Sequence, residues 1–200
     1  MQSIKKSLYH VHRIGNMDDF WQNESTITIG NNFESILYTG LLEDENVLIQ
    51  RYGNYDIDYI IKTMEDMKSN HFVEDDMQDQ FDQILNRYYF LRREKALEEG
   101  RKIFCPNAPS RLHSIFLTDQ LNLYYWKKLV GDHSFKVFLL ELEGNLFVSS
   151  DKYFPSPKLT FNLQVEKSKE YWKPKIKKLT PHKEFIFQGE GKIIQSIKEI

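Results

Sequence analysis

Residues 107–130, NAPSRLHSIFLTDQLNLYYWKKLV, constrain the fold more than any other stretch of the chain. Ile115, Phe116 and Leu117 make a short β-branched and aromatic run behind a Pro-Ser turn signal, the pattern of a buried strand. The period then changes. Thr118 or Asp119 is placed to cap a helix in which Leu121, Tyr125 and Leu129 fall four apart, with Tyr124 and Lys128 beside them, so one stripe is apolar and aromatic. A strand that runs straight into an amphipathic helix predicts a cleft at the junction.

Before that junction, residues 8–14 (LYHVHRI) read as a strand with Leu8, His10, His12 and Ile14 on one face and Tyr9, Val11 and Arg13 on the other. Residues 25–29 suggest a second short strand, and Asn31 or Asn32 a cap for a helix over 33–37 that ends at Gly40. Residues 56–100 turn helical, as two helices joined near Ser69-Asn70. Ile57, Ile60, Ile61 and Met64 lie on the first, and Met77, Phe81, Ile84, Leu85, Tyr88 and Tyr89 on the second. The acidic Glu74-Asp75-Asp76 suits a helix N-terminus, and the charges of 92–99 suit a solvated face ending at Gly100.

After the junction, residues 136–143 form a strand, with a second short arm over 142–149 past Gly144. Residues 160–172 read as a helix stopped by Pro174, with Leu163, Val165, Tyr171 and Trp172 as its apolar contacts. Residues 184–197 read as two strands about a turn at 189–191.

A chain of 200 residues with net charge −2 fits one domain, and argues against a strongly basic nucleic-acid binder while allowing a local basic patch. The single cysteine, Cys105, forms no internal disulfide, which fits a reducing, cytoplasmic compartment. No run of eighteen apolar residues suggests a membrane span. His10 and His12 share a strand face, but no third ligand follows at recognisable spacing, so no metal is expected.

Four segments carry a family likeness in their order. Leu8-Tyr9-His10-Val11-His12 looks like a YHGT strand, and Ser114-Ile-Phe-Leu-Thr-Asp, with Trp126 ten residues after Phe116, looks like a GIYFT strand and the helix behind it. Residues 138–154, closing on Asp151-Lys152-Tyr153-Phe154-Pro155, look like the next strand and an acidic loop. Glu184-Phe-Ile-Phe with Gly189 and Ile193-Ile194 looks like closing strands led by a glutamate. Together they resemble the ADP-ribosyltransferase superfamily, above all its compact rifampicin-modifying branch and, more loosely, the DNA-modifying toxins of toxin–antitoxin systems.

The resemblance implies an α+β fold with a split, mostly antiparallel sheet and a helical insertion over about 56–100. It implies a toxin- or defence-type mono-ADP-ribosyltransferase that cleaves the nicotinamide–ribose bond of its co-substrate NAD and passes ADP-ribose to a macromolecular acceptor, nucleic acid or protein. An antitoxin or chaperone partner, no metal and no membrane go with that reading. Rival readings are an NAD glycohydrolase, a small-molecule (antibiotic) ADP-ribosyltransferase, and a non-catalytic module binding nucleotide or protein. An oxocarbenium-like sugar beside a cationic leaving ring asks for aromatic faces and a carboxylate.

By resemblance Glu184 is the favoured catalytic carboxylate and Asp151 its competitor, while His10 holds the NAD ribose. Val11 meets the nicotinamide amide through its backbone, although Val11-His12 replaces the family's Gly-Thr. Phe116 stacks on nicotinamide where relatives carry tyrosine, so the ring is kept and the hydroxyl lost. Thr118, Tyr125 and Trp126 line the strand end and the following helix, and Arg13 and Arg111 are candidates for the diphosphate.

Overall fold

The computed structural model describes residues 6–13, 21, 25–30, 33, 62, 65–67, 69, 75–130 and 135–198. Its elements are β1 (Lys6–Arg13), β2 (Thr26–Ile29), α1 (Asp75–Phe104), β3 (Ile115–Leu117), α2 (Leu123–Val130), β4 (Phe135–Ser150), α3 (Phe161–Trp172) and β5 (Lys183–Lys198). The strands form an antiparallel sheet in the order β1-β4-β5-β2, with β3 also paired to β5, so the fold is α+β. Apart from Phe33, the expected helix over 33–37 with its caps lies outside the described residues, as does most of the helix expected from 56.

Strand alternation divides the core in two. Leu8, Ile115, Leu117, Phe138, Leu140, Leu142, Phe185 and Phe187 face one side with Trp21, Ile27 and Ile29. The intervening Phe116, Phe147 and Ile186 face the other, against Leu97 of α1 and Tyr171 and Trp172 of α3. Glu184 is in phase with Ile186, so the period that buries the β5 phenylalanines also sends this carboxylate to the helical side.

Several expectations need correction. The turn expected at 189–191 and the break expected after Gly144 are absent: β4 and β5 each run unbroken for 16 residues. Gly144 and Gly189 are paired across the ladder, at φ 157° and 145°. A Cβ on either would lie 2.4 Å from a carbonyl oxygen of the opposite strand. These glycines allow close backbone approach inside a long ribbon instead of reversing it. Gly100 likewise does not end its helix, because α1 continues to Phe104. Gly100 lies where α1 crosses α3, and a Cβ there would fall 1.7 Å from Ser168 Oγ.

Both helices behind the sheet bury polar residues. On α3, Gln164 and Ser168 point inward while Leu163 is exposed. On α1, the supposedly solvated run contains Glu94 and Glu98, both buried. No helix among the described residues is long and apolar enough to cross a membrane.

Candidate functional site

The expected strand-to-helix junction exists, but its helix begins at Leu123, three or four residues late. Asp119 does not cap α2; it closes the turn before it, where its Oδ1 accepts from the backbone and side chain of Asn122 at 3.1 and 2.7 Å. Of the expected apolar stripe, Tyr125 turns inward, while Leu129 and Leu121, which precedes α2, are exposed.

A cavity of about 600 Å³ opens where β1 and β3 part. The two strands meet at one bridge, Tyr9 with Thr118, whose backbone groups exchange hydrogen bonds of 2.9 and 2.8 Å. Continued antiparallel, that ladder would set Val11 against Phe116. Instead the His10 side chain takes the Phe116 carbonyl, with Nδ1 donating at 2.9 Å.

That bond fixes the His10 tautomer. With the proton on Nδ1, Nε2 is an acceptor, and it has no partner among the described residues. Burial holds the pKa of His10 down at about 4, against the bond to Phe116, so the ring stays neutral at ordinary pH. Trp21 stacks on it at 4.1 Å between ring centres. His12, two residues on, is buried between Trp21 and Phe138. No cluster of His, Cys, Asp and Glu suited to a metal occurs among the described residues.

Across the cavity lies a buried ionic cluster. Arg111, in a 3-10 turn before β3, donates from Nη1 to Glu184 Oε1 at 2.7 Å. The other edge of the same guanidinium meets Glu94 through Nε at 2.7 Å and Nη2 at 3.3 Å. Tyr171 also donates to Glu184 Oε1. Burial opposes charge on Arg111, but Glu184 and Glu94 outweigh it and raise its pKa further. Burial pushes the Tyr171 phenol well up, with Glu184 adding and Arg111 opposing. The recorded bonds to Glu184 fall on Oε1, so Oε2 has no partner among the described residues.

The backbone just before Glu184 is clamped. The Lys183 carbonyl accepts from Trp126 Nε1 at 2.8 Å and Thr118 Oγ1 at 3.1 Å, and the Lys183 amide donates to Asn122 Oδ1 at 3.3 Å. The Lys183 ammonium lies 2.5 Å from Asp119 Oδ2. Burial alone would raise the Asp119 pKa, but the hydrogen bonds from Lys183 and Asn122 prevail and lower it. Thus the junction at 118–126 holds the start of β5 in place.

Asp151 sits at the same end of the sheet. Register pairs Ser149 with Glu184, and Asp151 follows two residues later. It accepts from Tyr125 through Oδ2, and lies 3.0 Å from His182 Nδ1 through Oδ1. Tyr125 and His182 stack at 3.7 Å. Burial and Asp151 push the Tyr125 phenol up to about 12, so it stays a donor.

The cavity is therefore lined by His10, Val11, Phe116, Thr118, Tyr125, Trp126, Asp151, Arg111 and Glu184. Arg13 ends β1, and its side chain lies outside the described residues. Arg111 lines the wall but spends its donors on carboxylates, which does not match its expected place on a diphosphate. Arg93 also reaches the cavity, packed against Phe90 and Phe154 at 5.0 and 4.4 Å.

Sequence reasoning missed Glu94, Arg93, Tyr171, Trp21 and His182. Glu94 alone left a usable signal. It lies three residues from both Leu91 and Leu97, interrupting a buried stripe of α1 with a charge that must then find a cation. No curated protein matches the chain. The model of one family, described as "Protein of unknown function (DUF2441)", matches residues 8–199, and the chain belongs to that family.

Proposed function

We propose that this protein is an NAD-dependent mono-ADP-ribosyltransferase of toxin or defence type. One observation carries the reading: His10 of β1, Phe116 of β3 and Glu184 of β5, distant in sequence, line one aromatic cavity. The acceptor nitrogen of His10 and an open oxygen of Glu184 are both available there. A cavity of about 600 Å³ suits a ligand of nucleotide size.

NAD supplies a cationic leaving ring on an anomeric carbon. The residues around the cavity fit such a substrate. Phe116 and Trp21 offer aromatic faces, and the Arg111 guanidinium lies 4.7 Å from the centre of the Phe116 ring. His10 Nε2 accepts from a ribose hydroxyl, which a neutral imidazole of fixed tautomer does across the physiological range. Glu184, anchored through Oε1, turns Oε2 to the sugar and stabilises positive charge as the glycosidic bond lengthens. Arg93, which gives Nη2 alone to a carboxylate, Glu94 at 3.2 Å, is the cation we assign to the diphosphate in place of Arg111. The split sheet implied by the family likeness agrees with strands β1 and β3 parting after one bridge.

Incubation of the protein with NAD labelled in the adenine moiety, with and without cell extract, tests the reading. Release of nicotinamide with label entering a macromolecule is the expected result. Free ADP-ribose alone would make the protein a glycohydrolase. Absence of both nicotinamide release and calorimetric NAD binding would end the enzyme reading.

A further inference from the structure

We infer that the mouth of this cavity is a docking surface for single-stranded nucleic acid, which supplies the acceptor; the acceptor role rests on the transferase reading above. Two segments form this rim. Residues 120–130 include α2, and residues 173–183 run from α3 into the start of β5. They abut through the Tyr125–His182 stack and the bond from Trp126 to the Lys183 carbonyl.

Together these segments hold seven of the chain's 27 Lys and Arg residues and none of its 29 Asp and Glu; Lys183 is buried against Asp119, which leaves six for a basic rim. Lys128, Lys173, Lys175, Lys177 and Lys178 are exposed. The connection is held in shape by backbone: the carbonyls of Lys175 and Lys178 accept from Tyr153 and from the Lys183 ammonium at 3.1 and 3.0 Å. The connection ends at His182 and Lys183, against Tyr125 and Trp126 of the cavity wall.

The same rim carries apolar and aromatic surface. Tyr124 is 80% exposed and Leu179 82%. Leu129 is 61% exposed and also lines the cavity, which places α2 at its entrance. Lysines interleaved with an outward aromatic ring are the combination that holds a single strand, by backbone charge and base stacking. A duplex keeps its bases stacked inside, whereas a single strand can offer one nucleotide to a concave site.

In the transfer, the bond from the ribose anomeric carbon to nicotinamide breaks and its electron pair leaves with the neutral ring. A lone pair on a base nitrogen or sugar hydroxyl forms the new bond, and the acceptor's proton passes to solvent.

Fluorescence anisotropy with a mixed-sequence 20-nucleotide DNA, the matching RNA and the matching duplex tests the surface without NAD. Single strands should bind more tightly than the duplex. If about four phosphates are neutralised, affinity should fall roughly 50-fold between 50 and 200 mM salt. Tyr124→Ala, and a variant with Lys173, Lys175, Lys177 and Lys178 all changed to Glu, should each weaken binding at least ten-fold. Neither should alter nicotinamide release with water as acceptor.

Equal binding by wild type and the four-lysine variant would overturn the docking surface. Label entering protein while oligonucleotides stay unlabelled would overturn the nucleic-acid acceptor. Salt-sensitive binding of single strands without any NAD cleavage would uphold the surface and sink the transferase reading alone.

Discussion

Arg111 Nη1 lies 2.7 Å from Glu184 Oε1, and both side chains are about 4% exposed. The opposite edge of the guanidinium grips Glu94, which is fully buried, so one cation serves two carboxylates. Replacing Arg111 by Met leaves both acids in the core without their shared partner. A loss of about 3–5 kcal/mol is expected, as for a broken buried ion pair. Arg111→Lys keeps the charge but not the fork, and should lose less. Urea unfolding at pH 7 measures both; a Met variant within 1 kcal/mol of wild type would show that the cluster is dispensable.

Glu184→Gln should separate catalysis from stability. The variant leaves Arg111 paired with Glu94, which Arg93 also meets at 3.2 Å, so unfolding should change little, while nicotinamide release should drop by about 10²–10³, as when a transition-state charge partner is removed. Asp151→Asn, which alters the Tyr125 and His182 contacts, should cost less than ten-fold by comparison. Full activity in the first variant with loss in the second would transfer the carboxylate role to Asp151.

The strands and the residues gathered around the cavity were legible because period-two alternation survives on β1, β3 and β5, and because the junction at Phe116 concentrates aromatics. What stayed hidden depended on neighbours. Gly144 and Gly189 look like turn residues until each is set opposite the other in one ladder. Glu94 and Glu98 look solvated within a run of charges, although Arg111 and Arg101 accompany them inward. Trp126 looks like a core aromatic, but its nitrogen takes a carbonyl of β5. Apart from the local Glu98–Arg101 pair, each depends on a contact with a residue far along the chain, which local patterning does not encode.

His10 makes stability depend on pH in a predictable direction. Its pKa in the folded chain is about 4, against 6.5 for the ordinary group. Between those values the unfolded chain binds a proton that folded His10 refuses, so stability rises with pH through this window and is lost as pH falls. Urea midpoints from pH 4 to 7 should climb more steeply for wild type than for His10→Gln. Equal slopes would place the titrating group elsewhere.

Gly189→Ala should destabilise by about 1–3 kcal/mol, because φ is 145° and the new Cβ would lie 2.4 Å from the Glu143 carbonyl. Since Gly191 faces side chains at 3.2 Å or more, Gly191→Ala should be milder. Thermal melts rank the two, and the reverse order would mean that the Gly144–Gly189 approach relaxes freely.

Trp126 Nε1 and Thr118 Oγ1 converge on the carbonyl of Lys183, one residue before Glu184, at 2.8 and 3.1 Å. Trp126→Phe removes the stronger donor while keeping an aromatic ring in the wall. Thr118→Val removes the other at nearly constant shape. Each should cost about 1 kcal/mol in stability, the usual worth of one such bond. Both together free the start of β5, so the carboxylate of Glu184 loses its fixed position before Arg111 does. If the proposed reaction holds, the double variant should bind NAD with nearly wild-type affinity but release nicotinamide more slowly, a fall in kcat with KM little changed. A rise in KM alone would mean that the two residues touch the substrate directly and do not act through the backbone of Lys183.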